Sequence, residues 1–188
     1  MTEQQPLVSI VIPCYNHAQF VQETIQSVID QDYENIELII IDDGSKDNSV
    51  DVIQEIIPAC KERFIRFEFR FRPNKGLCAT LNEALEWCEG KYYSAIASDD
   101  VMISDKCSIQ VEFFIENPEY DAVFGSAYII DNNGKLIRKN KKKSEDVTFK
   151  DLFLVKKMVS APTQMIKLDA IKSAGEYPVG EYIEDWYM

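Results

Sequence analysis

Residues 36–45 read IELIIIDDGS, a β-branched run without polar alternation that stops abruptly at two adjacent acids, a glycine and a serine. A short continuous apolar run of this kind predicts a strand buried on both faces, as in the middle of a parallel sheet. Ligands of open α/β sheets bind outside the carboxyl ends of the strands, so Asp42 and Asp43 fall where such a fold places its chemistry. Working outward, residues 7–12 form a second buried run, and between the two Phe20, Ile25, Val28 and Ile29 recur at helical spacing within 18–31. Together they make one βαβ unit of ordinary size.

The alternation continues toward the C-terminus. Residues 47–57 read as a helix with Asp47 or Asn48 as N-cap, 76–88 as another helix, and 92–97 as a further buried strand. Residues 64–71 alternate apolar side chains with Arg66, Glu68 and Arg70, which predicts an outer strand with one wet face. A helix is expected over 105–116, ended by Asn117 and Pro118, then a strand over 122–130 leading through DNNG into a returning strand at 135–138. Residues 151–159 suggest a short helix, 163–167 a last strand and 168–174 a final helical turn. The expected class is α/β: a mostly parallel central sheet with helices on both faces and a Rossmann-like N-terminal half.

Composition narrows the function. The chain has 188 residues, 46% hydrophobic, enough for one substantial core, so a single domain over 1–188 is expected. Twenty basic against thirty-two acidic residues give a net charge of -12, which repels polyphosphate backbones and argues against a nucleic-acid partner. No apolar run is long enough to cross a bilayer and no signal peptide is visible at the start, so a cytoplasmic location is expected. Five cysteines, odd in number and without a C-x-x-C pair, read as free buried thiols. The basic residues concentrate in RKNKKK at 138–143, read either as a solvated mobile loop or as a contact for an anionic lipid surface or phosphorylated acceptor. The latter would be a peripheral contact at the inner face of the membrane.

The strand ends carry the candidate site. After the first strand come Pro13, Cys14, Tyr15 and Asn16, after the second Asp42 and Asp43, and after the strand at 92–97 Ser98, Asp99 and Asp100. No G-x-G-x-x-G turn follows the first strand, which removes the main support for dinucleotide redox chemistry or P-loop phosphoryl transfer. Adjacent carboxylates suit a hard divalent cation that completes its shell with water and phosphate oxygens. Asp43 can accept an N–H from a nucleobase on which Tyr15 offers a ring to stack. Arg72 and Lys75 are candidates for diphosphate contact, and His17 reads as an exposed residue at a helix start. The spacing in DDGSKDNSVDVIQE does not fit an EF-hand, and the scattered cysteines with one histidine do not suggest zinc.

The ordered series SIVIPCYN at 9–16, ELIIIDDGSKDNS at 37–49, RPNKGLCATLNEAL at 72–85, SDD at 98–100 and IEDW at 183–186 resembles the inverting family 2 glycosyltransferases of the GT-A fold. The resemblance implies that Asp43 binds uracil beside Pro13 and Tyr15, that Asp100 holds Mn2+ or Mg2+ with Asp99 nearer the ribose or donor sugar, and that Asp185 is the general base. It implies a uridine-type nucleotide-sugar donor, with thymidine open, and a glycan or lipid-linked glycan acceptor in bacterial surface polysaccharide synthesis. Residues 1–100 would form the nucleotide-binding half and 101–188 the start of the acceptor half, with further acceptor-binding elements expected beyond Met188. Two departures stand out: Ala97 where the metal motif usually starts with Asp, and Ser104 where Pro is common. Asn82 matches a family position whose expected role is structural. A sugar nucleotidyltransferase would need a Gly- and Arg-rich loop after the first strand, which CYNHAQF does not provide, and a binding module without turnover would have no use for Asp185.

Overall fold

A computed structural model describes residues 5–131, 134–140 and 143–180. Strands β1 (Val8–Cys14), β2 (Ile36–Asp42), β3 (Arg66–Phe71) and β4 (Tyr92–Ala95) alternate with helices α1 (Val21–Ile29), α2 (Ser49–Arg63) and α3 (Leu77–Trp87). Helix α4 (Lys106–Glu116) is followed by β5 (Ala122–Val123), β6 (Ala127–Ile130), β7 (Leu136–Asn140), α5 (Phe149–Phe153), β8 (Met165–Lys167) and α6 (Leu168–Ala174). The main sheet has the order β3-β2-β1-β4-β8-β5, while β6 and β7 pair only with each other. Pairs β1–β2, β1–β4 and β2–β3 are parallel, and β8 runs antiparallel between β4 and β5.

Side-chain alternation along the strands divides the core into two layers. Val8, Ile10 and Ile12 of β1 pack with Leu38 and Ile40 of β2 against α1, α2 and α4. Val11, Ile39 and Ile41 face the other way, toward α3 and α6. Helices therefore cover both faces, as the unbroken apolar runs predict. The edge position of β3 agrees with its alternating pattern. All five cysteines are free and buried.

Some boundaries differ from the sequence expectation. Helix α2 runs past 57 to Arg63 with Pro58 inside it, because Cys60 and the following Phe64 are drawn into the core. Of the two cap candidates, Asn48 makes no side-chain cap bond, whereas the Asp47 carboxylate accepts the amide of Ser49, the first helical residue, and that of Ala18, both at 3.0 Å. The expected strand over 122–130 is split between two sheets, since the Gly125 amide is held by Thr163 Oγ1 at 2.9 Å between β5 and β6. The helix expected over 151–159 is instead Phe149–Phe153, started by a capping box between Thr148 and Asp151 and closed before Val155, which has φ 52°. The returning strand expected over 135–138 is Leu136–Asn140, so it takes in Lys139, which followed the expected strand.

A buried cation lies under the sheet. Lys106 is 9% exposed, and its ammonium donates to Ser94 Oγ at 2.7 Å and the Gln164 carbonyl at 3.0 Å, with no ion pair to a carboxylate among the described residues. Burial pushes its pKa from 10.5 down to about 8. The unfolded chain therefore binds more protons than the folded one between those values, and stability rises with pH across that window. Against Lys106→Met, the wild type is expected to gain on the order of 3 kcal/mol between neutral pH and pH 10.5. Urea unfolding of both proteins at the two pH values checks this; an unchanged difference would mean that the ammonium is solvated in the native state.

Candidate active site

The loops after β1, β2 and β4 and the loop between β3 and α3 meet at the carboxyl ends of the parallel strands. The turn after β2 is built by its own acids. Asp42, fully buried, accepts the amides of Gly44 (3.1 Å) and Ser45 (2.8 Å) on Oδ1 and the Ser45 hydroxyl (2.6 Å) on Oδ2. That reverses the chain and turns Asp43 toward the neighbouring loop. Asp43 Oδ1 is paired with Arg72 and accepts the Lys75 amide at 2.8 Å, and Oδ2 accepts the Gly76 amide at 2.8 Å. Arg72 is itself held by Glu83 at 2.8 Å and Thr80 at 2.9 Å. The two loops touch so closely that a Cβ on Gly44 (φ 77°) would lie 2.6 Å from the Asn74 amide nitrogen and 3.0 Å from the Arg72 carbonyl. Gly44→Ala is expected to cost about 1–3 kcal/mol and to weaken nucleotide binding with it, because it pushes on the loop whose amides hold Asp43. Thermal unfolding and a nucleotide titration of the same variant check both parts.

The loop after β1 is fixed to the same turn. Asn16, with φ 56°, accepts the Lys46 amide at 2.7 Å, and its own amide donates to Ser45 Oγ at 2.8 Å. Tyr15 beside it keeps 43% of its surface exposed, an aromatic ring held at a strand end with an open face. Cys14 is buried, and burial pushes its thiol up to about 11, which disfavours the thiolate.

After β4 the chain turns at once, the Asp100 amide donating to the Ala97 carbonyl at 3.1 Å. Asp99 is exposed, while Asp100 is half-buried and its pKa is raised by burial and then by the charge of Asp99. Among the described residues no group of three or more His, Cys, Asp or Glu could hold a metal. One or two carboxylate oxygens are nevertheless what a hard divalent cation takes from protein when phosphate and water supply the rest, and a carboxylate destabilised by burial and a like charge is relieved by such a cation. Asp100, with Asp99 beside it, is the residue that could hold a divalent cation such as Mn2+ or Mg2+ here.

His17 was not legible as a site residue. It is not simply exposed at a helix start: Nδ1 lies 2.7 Å from Ser98 Oγ and Nε2 3.9 Å from Asp99 Oδ2, with its amide donating to Ser49 Oγ at 3.0 Å. It thus ties the β1 loop to the Ser98–Asp99 turn. The available signal was its place directly after Tyr15 and Asn16 in a strand-end loop.

One crevice of about 1340 Å³ joins these parts, with Pro13, Tyr15, His17, Asp43, Gly76 and Ser98 among its lining residues. Lys75 and the Asp99–Asp100 pair are not among them, and Lys75 reaches the site through its backbone amide while its side chain is exposed. Beyond Ser98 the wall becomes apolar, with Phe124, Leu152, Phe153, Met158 and Val159. Asn82 is structural, as expected: it exchanges two hydrogen bonds with the backbone of Tyr177, at 2.8 and 2.9 Å. Asp185 lies outside the described residues.

Comparison with known proteins adds a family. The model described as glycosyl transferase family 2 matches residues 9–173. An uncharacterized glycosyltransferase of Haemophilus influenzae is 41% identical over 113 residues, 60% of this chain and 44% of that protein. A putative teichuronic acid biosynthesis glycosyltransferase of Bacillus subtilis, TuaG, is 34% identical over 116 residues, covering 62% of this chain and 45% of that protein. The crystal structure of S. aureus TarS 1-349 in complex with UDP-GlcNAc superposes with a TM-score of 0.71 at 20% identity, over 92% of this chain and 48% of that one. The chain therefore spans less than half the length of these proteins. The last likeness shows a shared GT-A fold.

Proposed function

Because the chain belongs to glycosyl transferase family 2, we propose that the protein transfers a sugar from a uridine diphosphate donor to a hydroxyl of a glycan in bacterial surface polysaccharide synthesis, inverting the anomeric carbon with the help of Mn2+ or Mg2+. The observation that carries this reading is the fixed carboxylate of Asp43. Its Oδ1 is engaged by Arg72 and the Lys75 amide, whereas among the described residues Oδ2 accepts the Gly76 amide alone and keeps capacity for one more donor. Uracil and thymine present an N–H to such an acceptor; cytosine presents a lone pair and is repelled. Tyr15 would stack on the base. The UDP-GlcNAc bound by TarS and the teichuronic acid role in the name of TuaG support the donor and acceptor classes.

Catalysis then divides among the chain's residues. Asp185 takes the proton of the acceptor hydroxyl as it attacks, in a single displacement with no covalent intermediate. A divalent cation bound at Asp100 would supply charge neutralisation for the departing nucleoside diphosphate. His17 keeps Ser98 and Asp99 in place beside the β1 loop. The test is a panel of nucleotide sugars with Mn2+ or Mg2+, read as donor hydrolysis. Turnover of uridine donors above cytidine and guanosine donors is expected, and preference for a cytidine donor would contradict the assignment of Asp43.

A further inference from the structure

The β6–β7 hairpin stands apart from the six-stranded sheet. Two strands alone are at best marginally stable in water, yet this pair turns five large apolar side chains outward: Tyr128, Ile129, Ile130, Leu136 and Ile137 are 40% to 66% exposed. The register sets Tyr128 opposite Lys139 and Ile129 opposite Arg138, and the Lys139 ammonium lies 5.3 Å from the centre of the Tyr128 ring. Apolar and cationic side chains are thus interleaved across the hairpin. Charge is concentrated there as well. Residues 127–143 hold six of the chain's twenty Lys and Arg and one of its thirty-two acids, while the other 171 residues carry fourteen basic and thirty-one acidic side chains.

Lysines on an open strand edge deter pairing with other strands, which accounts for the cations but not for five exposed apolar residues between them. We propose that the β6–β7 hairpin docks the protein on an anionic phospholipid bilayer. The isoleucines and Leu136 enter the boundary between headgroups and acyl chains, Tyr128 sits at headgroup level, and Arg138 and Lys139 face the lipid phosphates. The strongly acidic remainder of the chain is repelled by the same surface, so electrostatics selects this one orientation. Among the described residues no helix is long and apolar enough to cross a membrane. The hairpin joins the crevice at its apolar end: Phe124 lines the crevice, and Gly125 is held by Thr163 just before β6 begins. Docking would hold that end of the crevice at the bilayer. The inference rests on the hairpin alone and not on the donor or cation reading.

Flotation with vesicles of phosphatidylcholine, and of phosphatidylcholine and phosphatidylglycerol in equal parts, tests it. Binding is expected to the anionic vesicles and not to the neutral ones. The double variant Arg138→Gln, Lys139→Gln should weaken it about 25-fold, at roughly fivefold per charge near the surface. Ile129→Asn with Ile137→Asn should remove the part of the binding that survives high salt. Unchanged thermal unfolding of each variant shows that the fold is kept. Equal binding to both vesicle types, or charge variants that bind as the wild type does, would overturn the proposal. So would full displacement by dextran sulfate with no effect of the isoleucine changes, which would assign the hairpin to a soluble polyanion.

Discussion

Asp185→Asn is expected to lower sugar transfer by about two to four orders of magnitude while leaving donor affinity in place. The asymmetry follows from where the proton goes. In a single displacement the base acts on the acceptor hydroxyl, whereas in the proposed reading the donor is held by the loops after β1, β2 and β4. An amide in place of the carboxylate keeps the shape and loses the proton acceptor. Glu184→Gln is the internal control and should cost much less, since its neighbour retains the base. Transfer rates under saturating donor separate the two, and full activity in Asp185→Asn would move the role to Glu184 or Glu181. The same variant distinguishes an enzyme from a module that only binds nucleotide.

Asp43→Ala is expected to weaken uridine nucleotides by roughly ten- to a hundredfold, the loss of one charge-assisted hydrogen bond at about 1.5–3 kcal/mol. The cost to the protein is separate and also large. Asp43 and Arg72 have side chains only 6% and 12% exposed, so truncating the acid leaves a largely buried guanidinium with Glu83 as its remaining ionic partner. Breaking such a pair costs about 3–5 kcal/mol when the orphaned charge has no other partner, and Glu83 reduces that figure here. Titration with uridine and cytidine diphosphates distinguishes the two effects, because a general loss of structure lowers both and loss of the base contact lowers only the first. Equal affinity of the unmutated protein for the two nucleotides would remove Asp43 from the base site.

The central architecture was readable because strands buried on both faces leave an unmistakable signature. IELIII and the run at 7–12 have no polar alternation to confuse with a surface strand, and the acids that follow fall at strand ends by topology alone. Glu37 inside that run shows what periodicity misses. Its fully buried carboxylate accepts bonds from Ser9 Oγ at 2.6 Å and the amides of Glu89 and Gly90, and pairs with Arg66, partners far from it in sequence. The C-terminal half was read less well, since its elements are short and set by tertiary contacts. A continuous strand over 122–130 was the natural reading of the apolar pattern, but Thr163, far along the chain, bends it at Gly125. Within the site, the strand-end position of Asp43 was legible while its support was not. Arg72, assigned to diphosphate, is committed to Asp43, and Lys75 contributes an amide that no side-chain pattern reveals. His17 was hidden for the same reason, its partner Ser98 lying eighty-one residues away.

Calorimetric titration of uridine diphosphate, with Mn2+ and with chelator, into the wild type and Asp100→Ala tests most directly whether the crevice is a cation-assisted donor site. A diphosphate entering beside Asp43, Asp99 and Asp100 on a chain of net charge -12 meets repulsion that a divalent cation relieves. Binding to the wild type should therefore be strong with Mn2+ and fall by at least about tenfold with chelator, and Asp100→Ala should bind weakly under both conditions. Wild-type and Asp100→Ala proteins that bind uridine diphosphate with the same affinity and the same Mn2+ dependence would contradict the assignment of the cation to Asp100.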